Sequence, residues 1–401
     1  MPVTPEPAEH SAQLHCLPVF LPSTDRFLYY AFRTSPADRL TSGIQAGSLT
    51  SKEAHLVSAE IHGNVAFAAG HLFFVKSGGL YRQPFDSHLL QFSGDPIPIA
   101  PQEMETWDVS IFHAGFSVSE AGILILQSRL ELARELVWTD ASGREQERIQ
   151  GGYCGPDISP DGRFVAVTFD DFHDGRWYIS VHDIERGVTT RLTDGGHERV
   201  PSWSPDGKRI IYNSFEGDWS CTHEIASDGS GPPRLLLEPF SVLAHCSGDG
   251  TIVFVRPGRG SPQLVACLPG TKEVREIGPG AEPQFSPDGR WIAFAEWGGS
   301  GIGVLPFPGP GPRLRISNGR GGQPRWSHDG TQLFYIAPDK TMMAVTFNCE
   351  TGRAGPPREL FQTRIARASL AAWQYDVAPD GRFLINSLPA ASTPLTLLVG
   401  L

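Results

Sequence analysis

Short runs of apolar and β-branched residues, separated by polar turn residues, recur along most of this chain. Two examples are Lys208–Ser214 and Arg290–Glu296, in which isoleucine and aromatic residues dominate. Each run follows a turn rich in Pro, Asp and Gly, and an aromatic residue such as Trp203 or Phe285 stands just before that turn. This pattern predicts β-hairpins and almost no helix.

The turn itself has a physical explanation. Proline presets φ near −65° at the first central position, Asp bonds back to the backbone, and Gly supplies the positive φ that returns the chain to a strand. The tetrapeptides of this kind are Ser119–Gly122, Ser159–Gly162, Ser204–Gly207, Ser247–Gly250, Ser286–Gly289, Ser327–Gly330 and Ala378–Gly381. Their glycines follow one another at intervals of 39 to 51 residues, so the chain contains a repeat.

Each repeat has room for four strands, because third and fourth strands are predicted after the hairpin, as at 177–183 and 189–193. Four strands per repeat of about 40 residues is typical of a propeller blade. Two weaker repeats have their turns near residues 25 and 70, which brings the hairpins to nine. The sequence therefore predicts an all-β fold, a closed β-propeller of eight or nine four-stranded blades, with residues 1–401 as a single domain.

The two ends of the chain suggest how such a ring would close. The last repeat ends at 395–401 and is one strand short of a full blade. An apolar strand edge left unpaired is unfavourable. The segment 11–17 is a strand-length piece outside the repeats, and we expect it to pair with 395–401 and clasp the ring.

Charge and composition limit the classes of partner that the sequence predicts. The net charge is −11, from 44 acidic and 33 basic residues, and the basic residues form no stripe. The sequence therefore predicts no nucleic-acid partner and no membrane partner. No signal peptide or apolar stretch of membrane-spanning length is present in it, so a cytoplasmic location is expected. The six cysteines are widely spaced, which is typical of reduced thiols.

The repeated turn and its flanking strands resemble those of TolB-like, WD40-like propellers. The resemblance extends to the propellers that follow the kinase domain in some bacterial Ser/Thr kinases, through the segments 319–335, 342–345, 360–364 and 375–386. Phe20–Pro22 and Phe116–Ser119 are similar too. The resemblance implies a propeller that binds a protein or peptide, or a small ligand, and it supplies no catalytic residues. No kinase motif and no Gly-x-Ser-x-Gly nucleophile motif occurs in the sequence.

Residues near the start of each innermost strand should line the axis of the ring, so they are the candidates for recognition. A non-catalytic binding or scaffold propeller is the first hypothesis, and the residues predicted to bind at the channel mouth are Tyr153, Gln284, Arg325, Gln374 and Asp376. The competing interpretation of the axial carboxylates is a hydrogen bond to a backbone amide of the neighbouring blade.

The alternative hypothesis is a metal-dependent lyase or hydrolase. Its predicted ligands are His113, His197 and His245, with Glu198 or Asp157 as the general base. A bound divalent cation would polarise a carbonyl or carboxylate, so that a modest base could remove a proton. The binding hypothesis requires no cofactor, and a divalent metal belongs to the alternative alone.

Overall fold

The structure is a computed structural model, and every regular element in it is a β-strand. It describes residues 13–22, 24–33, 42–61, 63–76, 79–100, 115–127, 135–171, 176–216, 219–256, 261–271, 273–298, 300–309, 311–365, 373–388 and 395–398. Within these ranges no helix has the length and apolar character needed to cross a membrane. The chain divides into two compact units, unit 1 (Met1–Leu132 with Ala390–Leu401) and unit 2 (Ala133–Pro389).

Unit 1 contains three antiparallel sheets among its described residues. The first sheet is β1 (Gln13–Phe20), β2 (Arg26–Arg33), β3 (Gly43–Ser48) and β4 (His55–Ser58). The second is β5 (Val65–Ala68), β6 (His71–Lys76), β7 (Gly79–Asp86), β8 (Gln91–Phe92) and β9 (Ile97–Ala100). The third is β10 (Phe116–Val118), β11 (Leu124–Gln127) and β37 (Leu395–Leu398), so the last strand of the chain joins a sheet of unit 1.

Unit 2 contains six sheets, and five of them follow one another along the chain. These five are β14 (Tyr153–Ile158), β15 (Phe164–Asp171), β16 (Arg176–Asp183) and β17 (Val188–Arg191); β18 (Glu198–Trp203), β19 (Arg209–Glu216), β20 (Trp219–Ala226) and β21 (Arg234–Leu237); β22 (Val242–Cys246), β23 (Ile252–Arg256), β24 (Gln263–Cys267) and β25 (Val274–Pro279); β26 (Ala281–Phe285), β27 (Trp291–Ala295), β28 (Ile302–Pro306) and β29 (Leu314–Arg315); and β30 (Gly322–Trp326), β31 (Gln332–Ile336), β32 (Thr341–Asn348), β33 (Arg353–Ala354) and β34 (Arg358–Gln362).

The sixth sheet of unit 2 closes a ring. Its strands are β12 (Glu135–Thr139), β13 (Glu145–Ile149), β35 (Tyr375–Val377) and β36 (Phe383–Ser387), in the order β13-β12-β36-β35. We call the first strand of each hairpin the innermost strand of its sheet, and in unit 2 these strands pack in a circle. Along this circle each strand contacts the next, in the order β14, β18, β22, β26, β30, β35 and back to β14. The first and last parts of unit 2 thus share one sheet.

This topology corrects the predicted clasp between 11–17 and 395–401. In the described part of the chain β1 pairs with β2 and β37 pairs with β11, so the two ends lie in different sheets. Unit 2 instead closes where β12 pairs with β36, with Trp138 opposite Leu384. The prediction of a β-propeller is confirmed, whereas eight or nine blades in a single ring are not confirmed, and a single domain over 1–401 stays a prediction.

All nine predicted hairpins are present, one at an edge of each sheet. The turn glycines have the positive φ that the sequence required, for example 69° at Gly207 and 70° at Gly289. In each of these two turns the Gly N–H donates to the carbonyl of the leading serine, and that serine's Oγ donates to the turn aspartate. The Ser-Pro-Asp-Gly signal therefore fixes the register of these two hairpins.

A second backbone feature repeats in the innermost strands of unit 2. In each of five of them a β-bulge holds one residue at a positive φ of 53° to 61°, and these residues are Gly155, Val200, Leu243, Glu282 and Gln323. Such a bulge sharpens the local twist and redirects the side chains on either side of it. Two residues further along, each strand presents a polar side chain to the axis.

The aromatic residues before the turns join neighbouring sheets. The indole N–H of Trp203 donates to the carbonyl of Asp157 at 2.8 Å, and that of Trp326 donates to the carbonyl of Gln284 at 3.3 Å. Both indoles are buried, so each large apolar ring has its one polar atom paired. These two tryptophans thus link neighbouring sheets by a hydrogen bond as well as by packing.

Candidate binding site at the axis of unit 2

In each of the six innermost strands of unit 2, one polar residue occupies the same position, the last but one of the strand. We call this set the axial ring, and its members are Asp157, Ser202, His245, Gln284, Arg325 and Asp376. Their equivalence follows from the pairing register, since each lies opposite the corresponding residue of the second strand in its own sheet. Each of the six innermost strands, which contact one another in a circle, thus contributes one polar residue at the equivalent position.

Arg325 holds one side of the axial ring together. Its Nη1 lies 2.8 Å from Asp157 Oδ1 and 3.6 Å from Asp376 Oδ1. The guanidinium also stacks over the ring of Trp373, with 4.3 Å from its carbon to the ring centroid. Only 3% of Arg325 is exposed, so this charge lies in a region of low dielectric, where losing either of its carboxylate partners would be costly.

The two carboxylates also bond to the next sheet. Asp157 Oδ2 accepts the backbone N–H of Trp203, and Asp376 Oδ2 accepts that of Ile158, both at 2.6 Å. The interpretation of these carboxylates as links between neighbouring blades is confirmed. Burial raises the pKa of both groups, and Arg325 opposes that rise.

The other side of the ring is less completely paired. His245 Nδ1 accepts the backbone N–H of Phe285 at 3.2 Å, which repeats the link that the aspartates make. Burial, followed by the nearby charge of Arg325, lowers the pKa of His245 to about 3, so the imidazole is neutral. Ser202 Oγ and Arg325 Nε are buried and have no hydrogen-bond partner within the described residues.

A second tier of polar residues, Glu282, Gln323 and Gln374, lies two positions before Gln284, Arg325 and Asp376 of the axial ring. Glu282 Oε2 accepts the backbone N–H of Gln323 at 2.6 Å, and Gln323 Oε1 accepts that of Gln374 at 2.8 Å. The hydroxyl of Tyr375 donates to the carbonyl of Gln323. Burial raises the pKa of Glu282 to about 7, against the opposing effect of the Gln323 N–H. This tier therefore links consecutive sheets in the same way as the axial ring.

Of the predicted site residues, Gln374 belongs to this second tier, and three others, Tyr153, Glu198 and His197, lie away from both sets. The hydroxyl of Tyr153 lies 3.1 Å from Thr189 Oγ1, on the outermost strand of its own sheet. Glu198 is buried, and its Oε2 accepts the backbone N–H groups of Gly196 and His197, so this carboxylate stabilises the loop before β18. His197 itself is exposed and lies edge-on to Trp177.

Among the described residues, this geometry provides no set of ligands for the metal hypothesis. His113 lies outside the described residues. Within the ranges that the structure describes, no group of three or more His, Cys, Asp or Glu side chains is placed to hold a metal ion. His197 and His245 occupy separate environments, the first exposed beside Trp177 and the second in the axial ring. A divalent metal stays a prediction of the alternative hypothesis.

Sequence reasoning did not select Ser202 as a candidate, although it belongs to the axial ring. Its neighbours, Pro201 and Trp203, place it at the variable position of a repeated segment in which Pro is followed by one variable residue, an aromatic residue and Ser. The usable signal was positional, because Ser202 stands two residues before the leading serine of its turn, as Asp157, Gln284 and Arg325 do.

No family model matches this chain. Among curated proteins, an uncharacterised protein of Agrobacterium fabrum (strain C58) is 28% identical over 193 residues, which is 46% of this chain and 61% of that protein. The Tol-Pal system protein TolB of Azoarcus sp. (strain BH72) is 31% identical over 70 residues, 18% of this chain and 16% of that protein. The matched segments thus span less than two thirds of either relative.

Among solved structures, one assigned as TolB from Agrobacterium tumefaciens aligns with a TM-score of 0.52 and 17% identity, over 65% of this chain and 99% of that one. Identity at this level shows the fold alone. The resemblance to propellers that follow bacterial kinase domains stays a prediction. The predicted resemblance to TolB-like propellers is confirmed, and the chain has the fold of a TolB-like β-propeller.

Proposed function

We propose that unit 2 is a non-catalytic binding propeller that recognises a protein segment or a small ligand at the mouth of its axis. The observation that carries this proposal is that the six innermost strands, packed in a circle, each place one polar residue at the equivalent position. Loops and strand ends held by such a scaffold are common places for recognition. The TolB-like fold supports a binding or scaffold role in the same sense.

The local chemistry of the carboxylates favours binding over catalysis. Asp157 is held by Arg325 and by the Trp203 amide, and Glu198 is held by loop amides. A general base needs a carboxylate oxygen that can reach a substrate proton. Here the same oxygens are committed to bonds that hold the sheets and loops together, which is the behaviour of a scaffold.

Partner recovery with matched variants tests this proposal. The intact chain is immobilised and exposed to extract from the source cells, in parallel with Gln284→Leu and with Arg148→Met as the control. Gln284 belongs to the axial ring and is buried, whereas Arg148 forms an exposed ion pair with Glu135. Native mass spectrometry of each eluate detects bound proteins and small molecules together.

We expect a partner or ligand that the wild-type chain and Arg148→Met retain and that Gln284→Leu loses at least about tenfold, since one buried hydrogen-bonding residue at a recognition site is worth roughly that factor. Thermal unfolding of Gln284→Leu confirms that the variant is folded. Equal recovery by all three proteins would contradict recognition at the axis.

A further inference from the structure

We propose that the side of the axial ring formed by Ser202, His245, Gln284 and Arg325 Nε binds the uncharged amide group of a small molecule. This inference rests on the proposed binding function and names the chemical class of the ligand. The four residues come from consecutive innermost strands, β18, β22, β26 and β30. They form one continuous arc of the ring.

The first observation is that buried polar atoms in this arc are unsatisfied. Ser202 Oγ and Arg325 Nε each have no partner within the described residues, and each residue is only 3% exposed. A buried donor or acceptor left unpaired costs free energy, so such atoms in a folded protein call for an explanation. On the opposite arc, by contrast, both aspartates are bonded to the next sheet.

The second observation is the kind of hydrogen bond that the arc can make. Because His245 Nδ1 accepts the amide of Phe285, the proton of the neutral imidazole is on Nε2, which is therefore a donor. Arg325 Nε is a donor as well, while Ser202 and Gln284 can each donate and accept. The arc thus offers mainly donors together with two acceptors. A primary amide, with one carbonyl oxygen and one NH₂ group, is complementary to such a set.

The third observation concerns charge. The guanidinium of Arg325 is already opposed by Asp157 and Asp376, which lie on its other side. A carboxylate ligand would add a third negative charge to this buried group, and its burial would be costly. A cationic ligand would lie against the N–H donors of Arg325 and His245, whose positive ends repel it. An uncharged ligand avoids both penalties, which favours an amide over an anion or a cation.

Three isosteric probes test the proposal directly: acetamide, acetate and acetamidinium share a planar shape and carry charges of 0, −1 and +1. Each is titrated into the intact chain and followed by ligand-observed NMR. A probe of four non-hydrogen atoms should bind with a Kd of about 1 mM or weaker. We expect acetamide to bind at least about fivefold more tightly than either charged probe. Equal or tighter binding of acetate or acetamidinium would overturn the inference.

Variants locate the site. Ser202→Ala removes one unpaired hydroxyl and should weaken acetamide binding by about threefold to tenfold. The matched control is Thr251→Val, because the Thr251 hydroxyl is likewise buried but lies beside Asp249 in the turn between β22 and β23, so its loss should leave binding unchanged. Gln284→Glu places a charge in the arc and should reverse the preference toward acetamidinium. Unaltered binding in both Ser202→Ala and Gln284→Glu would overturn the proposed site.

The result also separates this inference from the proposed function. If no probe binds while Gln284→Leu still loses the recovered partner, the ligand class is wrong and axial recognition stands. If no probe binds and Gln284→Leu recovers the same partners as the wild-type chain, both proposals fail.

Discussion

Arg325 Nη1 lies 2.8 Å from Asp157 Oδ1, although 168 positions separate the two residues along the chain. The bond spans the place where the ring of unit 2 closes, because Asp157 is on the first innermost strand and Arg325 on the fifth. Both residues are buried. The ion pair therefore couples the first and the fifth innermost strands directly, in addition to the contacts that both make with β35.

Removing this guanidinium should destabilise the protein strongly. Arg325→Met leaves Asp157 and Asp376 buried without their cation, and we expect a loss of about 3–5 kcal/mol in the free energy of unfolding at neutral pH. The loss should shrink at acid pH, since protonation of the two carboxyls removes their uncompensated charge. Urea unfolding at several pH values measures both effects. Arg148→Met, which breaks only surface ion pairs with Glu135 and Glu145, should cost far less because solvent screens such pairs; an equal cost for both variants would contradict this assignment.

The ionisation of Glu282 should oppose folding above neutral pH. Because burial raises its pKa to about 7, the folded protein binds a proton that the unfolded chain releases near its ordinary pKa of about 4.3. The stability from this proton is complete below the unfolded pKa and is lost as the pH rises to about 7.

Glu282→Gln keeps an acceptor for the Gln323 amide and removes the charge. We expect it to raise the free energy of unfolding on the order of 2 kcal/mol at pH 8, to have little effect at pH 4, and to flatten the pH dependence between these values. Unfolding curves of the two proteins across that range provide the measurement. A variant that is less stable than the wild type at pH 8 would show that the carboxylate is favourable where it lies.

The turn glycines should resist replacement for a conformational reason. Gly207 has a φ of 69°, and an added Cβ would meet nothing closer than Pro160 Cδ at 3.8 Å, so space is available and only the backbone conformation is strained. Gly207→Val should lower the free energy of unfolding by about 1–3 kcal/mol.

A second turn glycine provides the control. Gly248 stands where other turns have proline, and its φ is not positive. An added Cβ at Gly248 would have no heavy atom within 4 Å. Gly248→Val should therefore be close to neutral. Thermal unfolding of both variants decides the question, and equal melting temperatures would show that positive φ is not the cause.

Closure within unit 2 predicts that this unit can fold alone. A fragment of residues 133–389 contains β12 and β36 and should unfold in one cooperative transition. A fragment of residues 150–389 lacks β12 and β13, so the edge of β36 is left unpaired. Leu384 and Ile385 of β36, which are buried in the intact unit, are then uncovered. We expect the shorter fragment to be much less stable or to aggregate. Calorimetry and gel filtration of the two compare them, and identical behaviour would place the closure elsewhere.

Local chemistry made the hairpins predictable, and distance along the chain made the closure unpredictable. Seven of the nine turns are encoded within four residues, as in Ser204–Gly207, and the spacing of the repeat located the two weaker ones near residues 25 and 70. The pairing of Trp138 with Leu384 joins segments that contain no shared signal. The prediction from unpaired strand edges was physically reasonable, but it matched the wrong pair of segments.

The candidate site shows the same division. Counting back from the turn leads to Asp157, Gln284 and Arg325, because the strand between the turn and the axis has a fixed length. Tyr153 lies four residues before Asp157, on the other side of the bulge at Gly155. The bulge changes which face a side chain occupies, so a simple alternation could not place residues beyond it.

The repeated bulge has a consequence for how this scaffold can diversify. The five positions with φ between 53° and 61° carry Gly, Val, Leu, Glu and Gln, so the same unusual backbone conformation is maintained with five chemically different side chains. Conformation at these positions is thus set by the sheets around them and not by the residue that occupies them. Such a framework separates shape from chemistry: its inner surface can acquire a new specificity through substitutions while the geometry that presents them stays constant.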